Sequence, residues 1–294
     1  MKYKKILIGL TTAVSTAVLA EWFTSNNVLT VSRIAVHNKK IPQSFDGFRI
    51  VQISDRHCSD FGKDNERLIR KIKYQYPDIV VMTGDMVDSQ NSKIGSFYKL
   101  VEKLAQKYPI YYVVGNHELN LGKGKLSRMI AKLKGLGVIV LDNSNESIRR
   151  NGDELVVSGL WNDLSFYPQS DKKVLQQILT TPTMIRAIGQ ADKSKYNILL
   201  THSPFDFEVY SSWGADLTLS GHVHGGMIRL PKLGGIFSPE YNLFPKYQNG
   251  IYSDGKSLLV VNRGLGSSRI PVRFLNKPEI TVVTLKSGQD RVFD

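Results

Sequence analysis

Five short runs of apolar, β-favouring residues recur along the chain, and each stops at polar residues that can bind a metal. The runs read FRIVQIS before Asp55, DIVVMT before Gly84 and Asp85, IYYVV before Gly115 and Asn116, NILL before Thr201 and His202, and LTLS before Gly221 and His222. Short apolar runs bounded by polar residues and glycine predict buried strands. The pattern therefore predicts a candidate ligand at the end of each strand.

A helix is predicted between the first two strands. In the stretch NERLIRKIKYQY, the apolar residues Leu68, Ile69, Ile72 and Tyr76 have the spacing of one helix face. A helix at this position would join two parallel strands as a crossover connection.

The spacing of the polar strand ends supports parallel strands. Asp55 and Asp85 lie 30 residues apart, and Asp85 and Asn116 lie 31 residues apart, which is the size of a strand–helix–strand unit. In open α/β sheets, ligands bind beyond the carboxyl ends of the strands. The candidate ligands fall at that edge.

Further apolar runs predict a second sheet. GVIVL and ELVVSGL precede the last two candidate ligand groups, and SLLVV and EITVVTL follow them. We expect these runs to form a sheet that packs on the first, with helices outside. The predicted fold is α/β, a four-layer αββα sandwich of two mixed sheets with a dinuclear metal site at the C-terminal ends of the strands.

The N-terminus has a basic segment followed by the apolar run ILIGLTTAVSTAVLA at residues 6–20. This order is typical of an export signal or a signal anchor, and a buried core helix is the less favoured interpretation because the run has no polar face. Cleavage after Ala20 fits the sequence, whereas Glu21 keeps the run below the roughly 20 residues of a comfortable transmembrane helix. Cleaved and uncleaved forms both remain open. The orientation of the segment in the membrane also remains open, since basic residues flank both of its ends.

Composition fits one large globular domain. The chain has 294 residues, of which 41% are hydrophobic and 22% charged, and this balance does not indicate disorder. The single cysteine, Cys58, excludes an intrachain disulfide framework and a zinc site made of paired cysteines. Its place beside His57 suggests a ligand role, but we favour a small loop residue because the ligand set is complete without a thiolate.

The chain is strongly basic. Its formal net charge is +13, and +10 remains once the three lysines before residue 6 are subtracted. Such a surface attracts polyanions, including phosphate polymers, anionic lipids and nucleic acid. No compact basic run with interleaved aromatic residues stands out, so we expect an anionic membrane or envelope polymer as partner and no specific nucleic acid. The sequence does not predict an oligomeric state.

Five of the six histidines belong to a series of short motifs: DRH at residues 55–57, GDMVD at 84–88, GNHE at 115–118, the single His202, and GHVH at 221–224. His37 lies outside them and is given no role. The candidate metal ligands are Asp55, His57, Asp85, Asn116, His202, His222 and His224. Imidazole, carboxylate and amide oxygen suit Mn, Fe or Zn, and a pair of divalent cations supplies hydroxide and binds a phosphoryl group at neutral pH. The motifs therefore indicate a two-metal hydrolase.

This ordered set of motifs resembles the calcineurin-like metallophosphoesterases over residues 48–285. The stretches GHVHGGMIRLP, GIFSPEYNLFPKYQNGIY and VNRGLGSSRIPVRFLNKPEI further resemble the membrane-associated bacterial branch, whose members act on cell-envelope or lipid-linked phosphoesters. The resemblance implies a phosphoester substrate and two divalent metal ions, either Mn, Zn or Fe. We accordingly divide the chain into a signal peptide or N-terminal membrane anchor at residues 1–24, a lead-in strand and linker at 25–47, and a metallophosphoesterase domain at 48–287.

The resemblance also implies a role for each motif residue. One metal would be bound by Asp55, His57, Asp85 and His224, and the other by Asp85, Asn116, His202 and His222. Asp85 would bridge the two ions, and a hydroxide between them would be the nucleophile. His117, free of metal, would donate a proton or a hydrogen bond to the leaving oxygen. Asp88 would orient that imidazole, cap the following helix, or do both.

Two departures from the family pattern affect these expectations. Arg56 replaces a residue that is usually apolar; on a strand it would point toward the core and need a buried partner, or its long side chain would reach back to a substrate phosphate. In addition, Ser89–Gln90 and Leu119–Asn120 replace the phosphate-clamping arginine pairs of protein Ser/Thr phosphatases. Phosphoprotein hydrolysis is therefore not expected.

Three functions remain open from the sequence. The first is an envelope-associated phosphodiesterase or phosphatase on the extracytoplasmic face of a bacterial membrane, or exported. The second is a pyrophosphohydrolase of the UDP-2,3-diacylglucosamine type, which predicts a membrane-facing apolar groove and a cytoplasmic active site. The third is a membrane-anchored metal-binding protein without catalysis. His117 and Asp88 argue against the third, since a metal scaffold has no need of a free acid.

Overall fold

The structure is a computed structural model that describes residues 2–57, 59–89, 94–167, 177–238, 243–267, 273–288 and 291–292. Cys58 and Gln90 lie outside the described residues. The helices are α1 (Lys2–Asn27), α2 (Glu66–Lys73), α3 (Ile94–Ala105), α4 (Asn116–Leu119), α5 (Lys123–Gly135), α6 (Thr181–Ile188) and α7 (Phe207–Trp213). The strands are β1 (Thr30–Asn38), β2 (Arg49–Ile53), β3 (Ile79–Thr83), β4 (Ile110–Val113), β5 (Ile139–Val140), β6 (Ser144–Arg150), β7 (Asp153–Leu160), β8 (Tyr196–Thr201), β9 (Leu217–Ser220), β10 (Arg229–Leu230), β11 (Gly234–Gly235), β12 (Gly250–Ser253), β13 (Leu258–Val261), β14 (Glu279–Ser287) and β15 (Arg291–Val292).

The first sheet has seven strands in the order β15-β1-β14-β2-β3-β4-β5. Strands β2 to β5 are parallel, whereas β14 runs antiparallel to β2. Helix α2 joins β2 to β3 and buries Leu68, Ile69 and Ile72, as the sequence predicted. Tyr76 was wrongly included in that face: the helix ends at Lys73, and Tyr76 has a positive φ of 50° and is 72% exposed.

The second sheet has six strands in the order β12-β13-β9-β8-β7-β6. Its four central strands are parallel and its two edge strands are antiparallel. The inner faces of the two sheets share one core, in which Val81 and Tyr111 of the first sheet join Ile198 and Leu219 of the second. Helices α2, α3 and α5 cover the outside of the first sheet, and α6 and α7 cover the second. The predicted αββα sandwich of two mixed sheets is confirmed.

The prediction of which strands share a sheet was partly wrong. Strand β5, from GVIVL, and β14, from EITVVTL, both lie in the first sheet, while β8 and β9 lie in the second. Strand β5 stays beside β4 because a right-handed crossover through α5 returns the chain to the neighbouring position. Strand β14 is apolar on both faces, a pattern that predicts a central strand but does not say in which sheet.

Because the candidate ligands follow strands of both sheets, the site forms where the two sheets meet. Gln52 on β2 donates from Nε2 to the carbonyl oxygen of Ser220, 2.8 Å away at the end of β9, and to Thr83 Oγ1 at the end of β3, 3.0 Å away. These buried hydrogen bonds join the carboxyl ends of the two sheets directly below the ligands.

Helix α1 is long and apolar enough to cross a membrane, and no residue of its apolar window is buried in the protein. The alternative of a buried core helix is therefore excluded. Its last turn contacts the rest of the chain, and Ser25 in that turn is fully buried.

Candidate metal centre

The backbone is strained at five of the seven candidate ligands. Asp55, His57, Asp85, His222 and His224 have positive φ angles of 48°, 50°, 49°, 73° and 54°. This left-handed region costs a non-glycine residue about 1–3 kcal/mol and is concentrated at functional sites. The strand ends are held in this conformation by hydrogen bonds between the loops, such as the 2.9 Å bond from the His57 amide to the carbonyl of Asp85.

One cluster of ligand atoms consists of Asp55, His57 and His224, all buried and within 4.8 Å of one another. The Nε2 atoms of His57 and His224 lie 3.1 Å apart, and His224 Nε2 is 3.4 Å from Asp55 Oδ1. The other ring nitrogen of His224, Nδ1, is 3.1 Å from the carbonyl oxygen of Gly266, which can only accept. The proton of neutral His224 is therefore on Nδ1, and Nε2 faces the cluster as a free donor atom.

A second cluster consists of Asp85, His202 and His222. Nε2 of His202 is 3.2 Å from Asp85 Oδ2 and 3.1 Å from Nδ1 of His222. His202 Nδ1 donates to the carbonyl oxygen of Thr83 at 2.8 Å, so its Nε2 is left for the cluster. Asp85 also groups with His57 and His117 within 4.8 Å. It therefore lies between the two clusters.

The distances between the donor atoms are explained better by bound metal ions than by hydrogen bonds among the side chains. Paired imidazole nitrogens 3.1 Å apart suit two ligands of one ion, for which metal–nitrogen bonds of about 2.0–2.1 Å place neighbouring donors about 3 Å apart. Among the described residues, the buried Asn116 Oδ1 is a candidate ligand atom that has no hydrogen-bond partner. Buried polar atoms are rarely left in that state unless a ligand completes them. The residues present therefore fit two cations.

Burial and charge set the protonation of these groups. Burial lowers the pKa of His57 to about 3 and that of His224 well below its ordinary value, which leaves both imidazoles neutral, the form that binds metals. Burial raises the pKa of Asp55. Burial also opposes ionisation of Asp85 and His202, but their mutual attraction outweighs it, lowering the pKa of Asp85 and raising that of His202 to about 10.

Two glycines allow the loops to approach closely. A side chain at Gly115 would overlap the carboxylate of Asp85, and one at Gly221 would overlap Ser54 and the carboxylate of Asp55. Of the motif glycines Gly84, Gly115 and Gly221, only Gly84 has a positive φ, of 88°. The other two are required for space around the ligands.

Sequence reasoning missed Glu118, the last residue of GNHE. Its fully buried carboxylate accepts four backbone N–H bonds, from Asp85, Met86, Val87 and Gly115, at 2.6–3.2 Å. Burial and the charge of Asp85 raise its pKa to about 7, against the N–H donors of Gly115 and Val87, which lower it. Glu118 thus ties the loop after β3 to the loop after β4. Its capping-box spacing at the start of α4 was the signal that would have found it.

His117 lies beside the clusters, half-buried, with its ring centroid 4.6 Å from that of His57. Its Nδ1 accepts a hydrogen bond from the backbone N–H of Ser89 at 3.2 Å. In the neutral imidazole the proton is therefore on Nε2, where it can be donated. Asp88 is half-buried beside Ser89, and the following helix is described only from Ile94 onward. The orienting and capping roles of Asp88 stay predictions.

Arg56 is fully buried and lies three residues beyond the end of β2, so the prediction that it sits on a strand was wrong. Its guanidinium donates to the carbonyls of His57 and Met86, at 3.0 and 3.3 Å, and forms an ion pair with Asp60. The expected buried partner is therefore present. Because the guanidinium has no exposed surface, it cannot reach a substrate, which excludes the alternative role.

Two further missed residues, Arg273 and Asn276, support His224 from the opposite side. Asn276 Nδ2 donates to the carbonyl of His224 at 2.6 Å, and the buried Arg273 guanidinium donates to the carbonyls of Gly266 and Arg263 and lies 3.4 Å from His224 Nδ1. No spacing rule connects these residues to the GHVH motif, which is about 50 positions earlier. Only the tertiary structure reveals them.

A cavity of about 370 Å³ opens beside the second cluster. Its lining includes Phe166, Tyr167, Gln177, Ile178, Phe205 and Asp206. The Tyr167 and Phe205 rings pack against His222, with centroids 5.4 and 5.9 Å from its ring. The lining combines these rings with polar side chains, so an organic group attached to a phosphate at the metal centre would fit this cavity.

The fold and the clusters define an α/β protein with a candidate two-metal centre at the carboxyl ends of two sheets. A family model for calcineurin-like phosphoesterases matches residues 48–226. The chain is 34% identical over 257 residues to YkuE, an uncharacterized metallophosphoesterase of Bacillus subtilis strain 168, and the alignment covers 86% of this chain and 84% of that protein. The chain therefore belongs to the calcineurin-like phosphoesterase family.

Two further relatives agree. An uncharacterized metallophosphoesterase of Aquifex aeolicus is 28% identical over 265 residues, covering 88% of this chain and 92% of its own length. A protein of Danio rerio, named as a transmembrane protein with a metallophosphoesterase domain, is 26% identical over 259 residues. The alignment covers 85% of this chain and 56% of that protein. The protein is thus a hydrolase of phosphoester bonds that depends on two divalent metal ions.

Proposed function

We propose that this metallophosphoesterase hydrolyses phosphodiester bonds of a lipid-linked or other cell-envelope substrate at a membrane surface. The observation that carries the proposal is the combination, in one molecule, of the two ligand clusters, the cavity beside His222, and the exposed helix α1. The cavity gives room for an organic group on the second ester oxygen. The helix would keep the enzyme where lipid-linked substrates occur.

We assign the ligand roles as follows. Asp55, His57, Asp85 and His224 would hold one ion, and Asp85, Asn116, His202 and His222 the other. Two bound cations would supply a nucleophile at neutral pH and neutralise charge on the transferred phosphoryl group. Glu118 and the His224 supports hold these ligands in place without touching substrate.

His117 is proposed as the general acid. The Ser89 amide donates to Nδ1, so the neutral ring has its proton on Nε2, from which His117 would donate a hydrogen bond to the leaving oxygen and stabilise the charge that develops there as the ester bond breaks. Asp88 is proposed to hold the position of this imidazole.

The bonding of the two buried arginines beside the described ligands favours a diester over a phosphomonoester. Within the described residues, the two guanidinium groups closest in sequence or contact to the ligands, Arg56 and Arg273, are buried and bonded to protein carbonyls. A monoester dianion would gain more from an arginine clamp than a diester monoanion. Phosphoprotein hydrolysis is therefore not proposed.

A pyrophosphohydrolase of the UDP-diacylglucosamine type is the second candidate. The observation that favours it is the exposure of large apolar side chains in the segment after the GHVH motif, including Leu233 and Phe244, which would suit an acylated substrate. It differs from the first candidate in the side of the membrane, since a nucleotide-linked sugar requires a cytoplasmic active site, whereas we place the envelope phosphodiesterase on the extracytoplasmic face. The Danio rerio relative's name supports membrane attachment but not a side.

The test is hydrolysis of bis-p-nitrophenyl phosphate, p-nitrophenyl phosphate and UDP-diacylglucosamine by the purified protein with Mn, with Zn and after chelation. We expect metal-dependent cleavage of the diester in preference to the monoester. Preferential cleavage of the pyrophosphate would favour the second candidate. Preference for the monoester would contradict both.

A further inference from the structure

The last turn of α1 is fastened to the domain at one defined point. Asn26 Nδ2 donates to the carbonyl of Arg273 at 3.1 Å, the Arg273 amide donates to Asn26 Oδ1 at 3.4 Å, and the Asn276 amide donates to Ser25 Oγ at 3.2 Å. On the other side, Arg67 donates to the carbonyl of Asn27 at 2.7 Å. If α1 crosses a membrane, the surface around this point faces the bilayer.

On one side of this point, α2 carries a cluster of cations. Arg67, Arg70 and Lys71 line a cavity of about 300 Å³ together with Val28, Leu29 and Tyr74. Within the described part of the chain, none of the three cations forms an ion pair with a carboxylate, and Glu66 is the one acid on α2. Arg67 and Lys71 each donate to a backbone carbonyl, of Asn27 and of Leu29, and the remaining N–H groups of the three side chains can bind phosphate oxygens.

On the other side lies an apolar hairpin. Strands β10 and β11 pair antiparallel, and Leu230 and Leu233 at their turn are exposed, the latter by 61%. Leu275 is also exposed, and it lines a cavity of about 470 Å³ together with Leu230, Arg229 and Lys232. Exposed leucines interleaved with basic residues are the composition of segments that lie in a membrane interface.

We propose that these two groups form a membrane-docking surface, defined by Arg67, Arg70 and Lys71 of α2 and by Leu230, Leu233 and Leu275 around the hairpin, and that its partner is an anionic lipid bilayer. The cations bind lipid phosphates while the leucines enter the interface. This surface would act in addition to α1, and it deepens the membrane location proposed above. The basic excess of the chain, +13, complements an anionic surface.

The docking surface is continuous with the wall of the metal centre. The hairpin begins five residues after His224, and Asn276 bonds both the carbonyl of His224 and Ser25 of α1. Docking would therefore hold the metal centre at a fixed height beside the bilayer. A phosphoester whose lipid tails stay in the membrane could then reach the ligands from the bilayer plane.

The test uses full-length protein in nanodiscs of phosphatidylcholine, or of phosphatidylcholine with about 30% phosphatidylglycerol. Amide hydrogen exchange is followed in residues 228–235, with residues 123–135 of α5 as internal reference. We expect slower exchange of the hairpin amides in the anionic discs only, and loss of this protection in about 0.5 M salt. Equal hairpin exchange in both kinds of disc would overturn the proposal.

Variants distinguish binding through the docking surface from a general attraction of the basic protein to anionic lipid. Replacing Arg67, Arg70 and Lys71 with Gln should weaken docking on the order of 100-fold, since each cation near an anionic surface contributes about fivefold. The matched control replaces Lys125, Arg128 and Lys132 of α5, which are also exposed, and should keep the protection. The Leu233→Ser variant should lose the protection of the hairpin amides from exchange. Equal behaviour of the two triple variants would refute the surface, whereas hairpin protection in an enzyme that fails to cleave diesters would refute only the proposed function.

Discussion

Replacing Glu118 with Gln is expected to destabilise the fold and loosen the metal centre together. The carboxylate accepts two N–H bonds at each oxygen: Met86 and Val87 at Oε1, Asp85 and Gly115 at Oε2. Glutamine keeps one oxygen and turns an NH₂ group toward the other pair of N–H donors. Two buried N–H groups then lose their acceptor, at about 1–3 kcal/mol each.

The expected loss is therefore about 2–6 kcal/mol, a large share of the total stability of about 5–15 kcal/mol typical of a domain. For a chain of this size it corresponds to a fall of roughly 5–20 °C in Tm. We would measure thermal unfolding of the chelated protein at about pH 8, where the carboxylate is ionised because this lies above its raised pKa of about 7. The raised pKa means that burial of the ionised carboxylate itself lowers stability at this pH and that Gln removes this cost, so we expect a net loss at the lower end of the range. Metal content and diester hydrolysis would be measured on the same samples.

The control is Glu102→Gln, an exposed position on α3, which should shift stability by no more than about 0.5 kcal/mol. If Glu118→Gln matched this control in Tm and bound two metal ions, the four hydrogen bonds would not be what holds the Asp85 loop. The reasoning about Glu118 would then fail.

Three further predictions concern the acid, its orientation and the N-terminal helix. His117→Ala should keep the metals yet lower turnover by roughly 10² to 10⁴, with a smaller loss for p-nitrophenyl esters, whose leaving group needs little protonation; equal losses on activated and unactivated diesters would argue against a proton donor. Ser89→Pro removes the N–H that bonds His117 Nδ1 and should lower turnover on unactivated diesters, whereas Ser89→Ala should not; similar rates for both would show that this amide does not orient the ring. Deleting residues 1–24 should release a protein with unchanged hydrolysis of small esters and weak, salt-sensitive membrane binding. Deleting residues 1–27 also removes the contacts to Arg273 and Asn276 and should lower metal retention. Firm membrane binding of the protein that lacks residues 1–24 in cell fractionation, or equal metal content of the two deletion variants, would contradict this prediction.

The ligand motifs were predictable because their information is local. Each lies at the end of an apolar run, and the carboxyl ends of parallel strands meet at one edge, so Asp55, Asp85 and Asn116 could be placed from spacing alone. Helix α2 was equally accessible from its apolar face. Its end at Lys73 was missed although the sequence contains a signal for it, since Pro77 follows four residues later and a proline just beyond a helix marks its end.

The parts that could not be predicted depend on contacts between distant segments. The pattern of EITVVTL shows burial on both faces, but its place between β1 and β2 is decided by the whole sheet. Arg273 and Asn276 reach His224 across about 50 residues of chain, and the role of Glu118 requires the β3 loop to lie against α4. Periodicity and motif spacing describe neighbours in sequence, so supports of this kind appear only in the folded chain.

The most direct test of the two-metal centre is the metal content and diester hydrolysis of Asp85→Asn beside the unmodified protein. Asp85 lies between the two clusters, and no other described carboxylate groups with ligands of both. After equilibration with Mn or Zn, the unmodified protein should bind two ions per chain and lose hydrolysis of bis-p-nitrophenyl phosphate on chelation, while Asp85→Asn should bind fewer and hydrolyse almost nothing. Full activity of Asp85→Asn at ordinary metal concentrations, or activity of the unmodified protein without bound metal, would contradict the assignment.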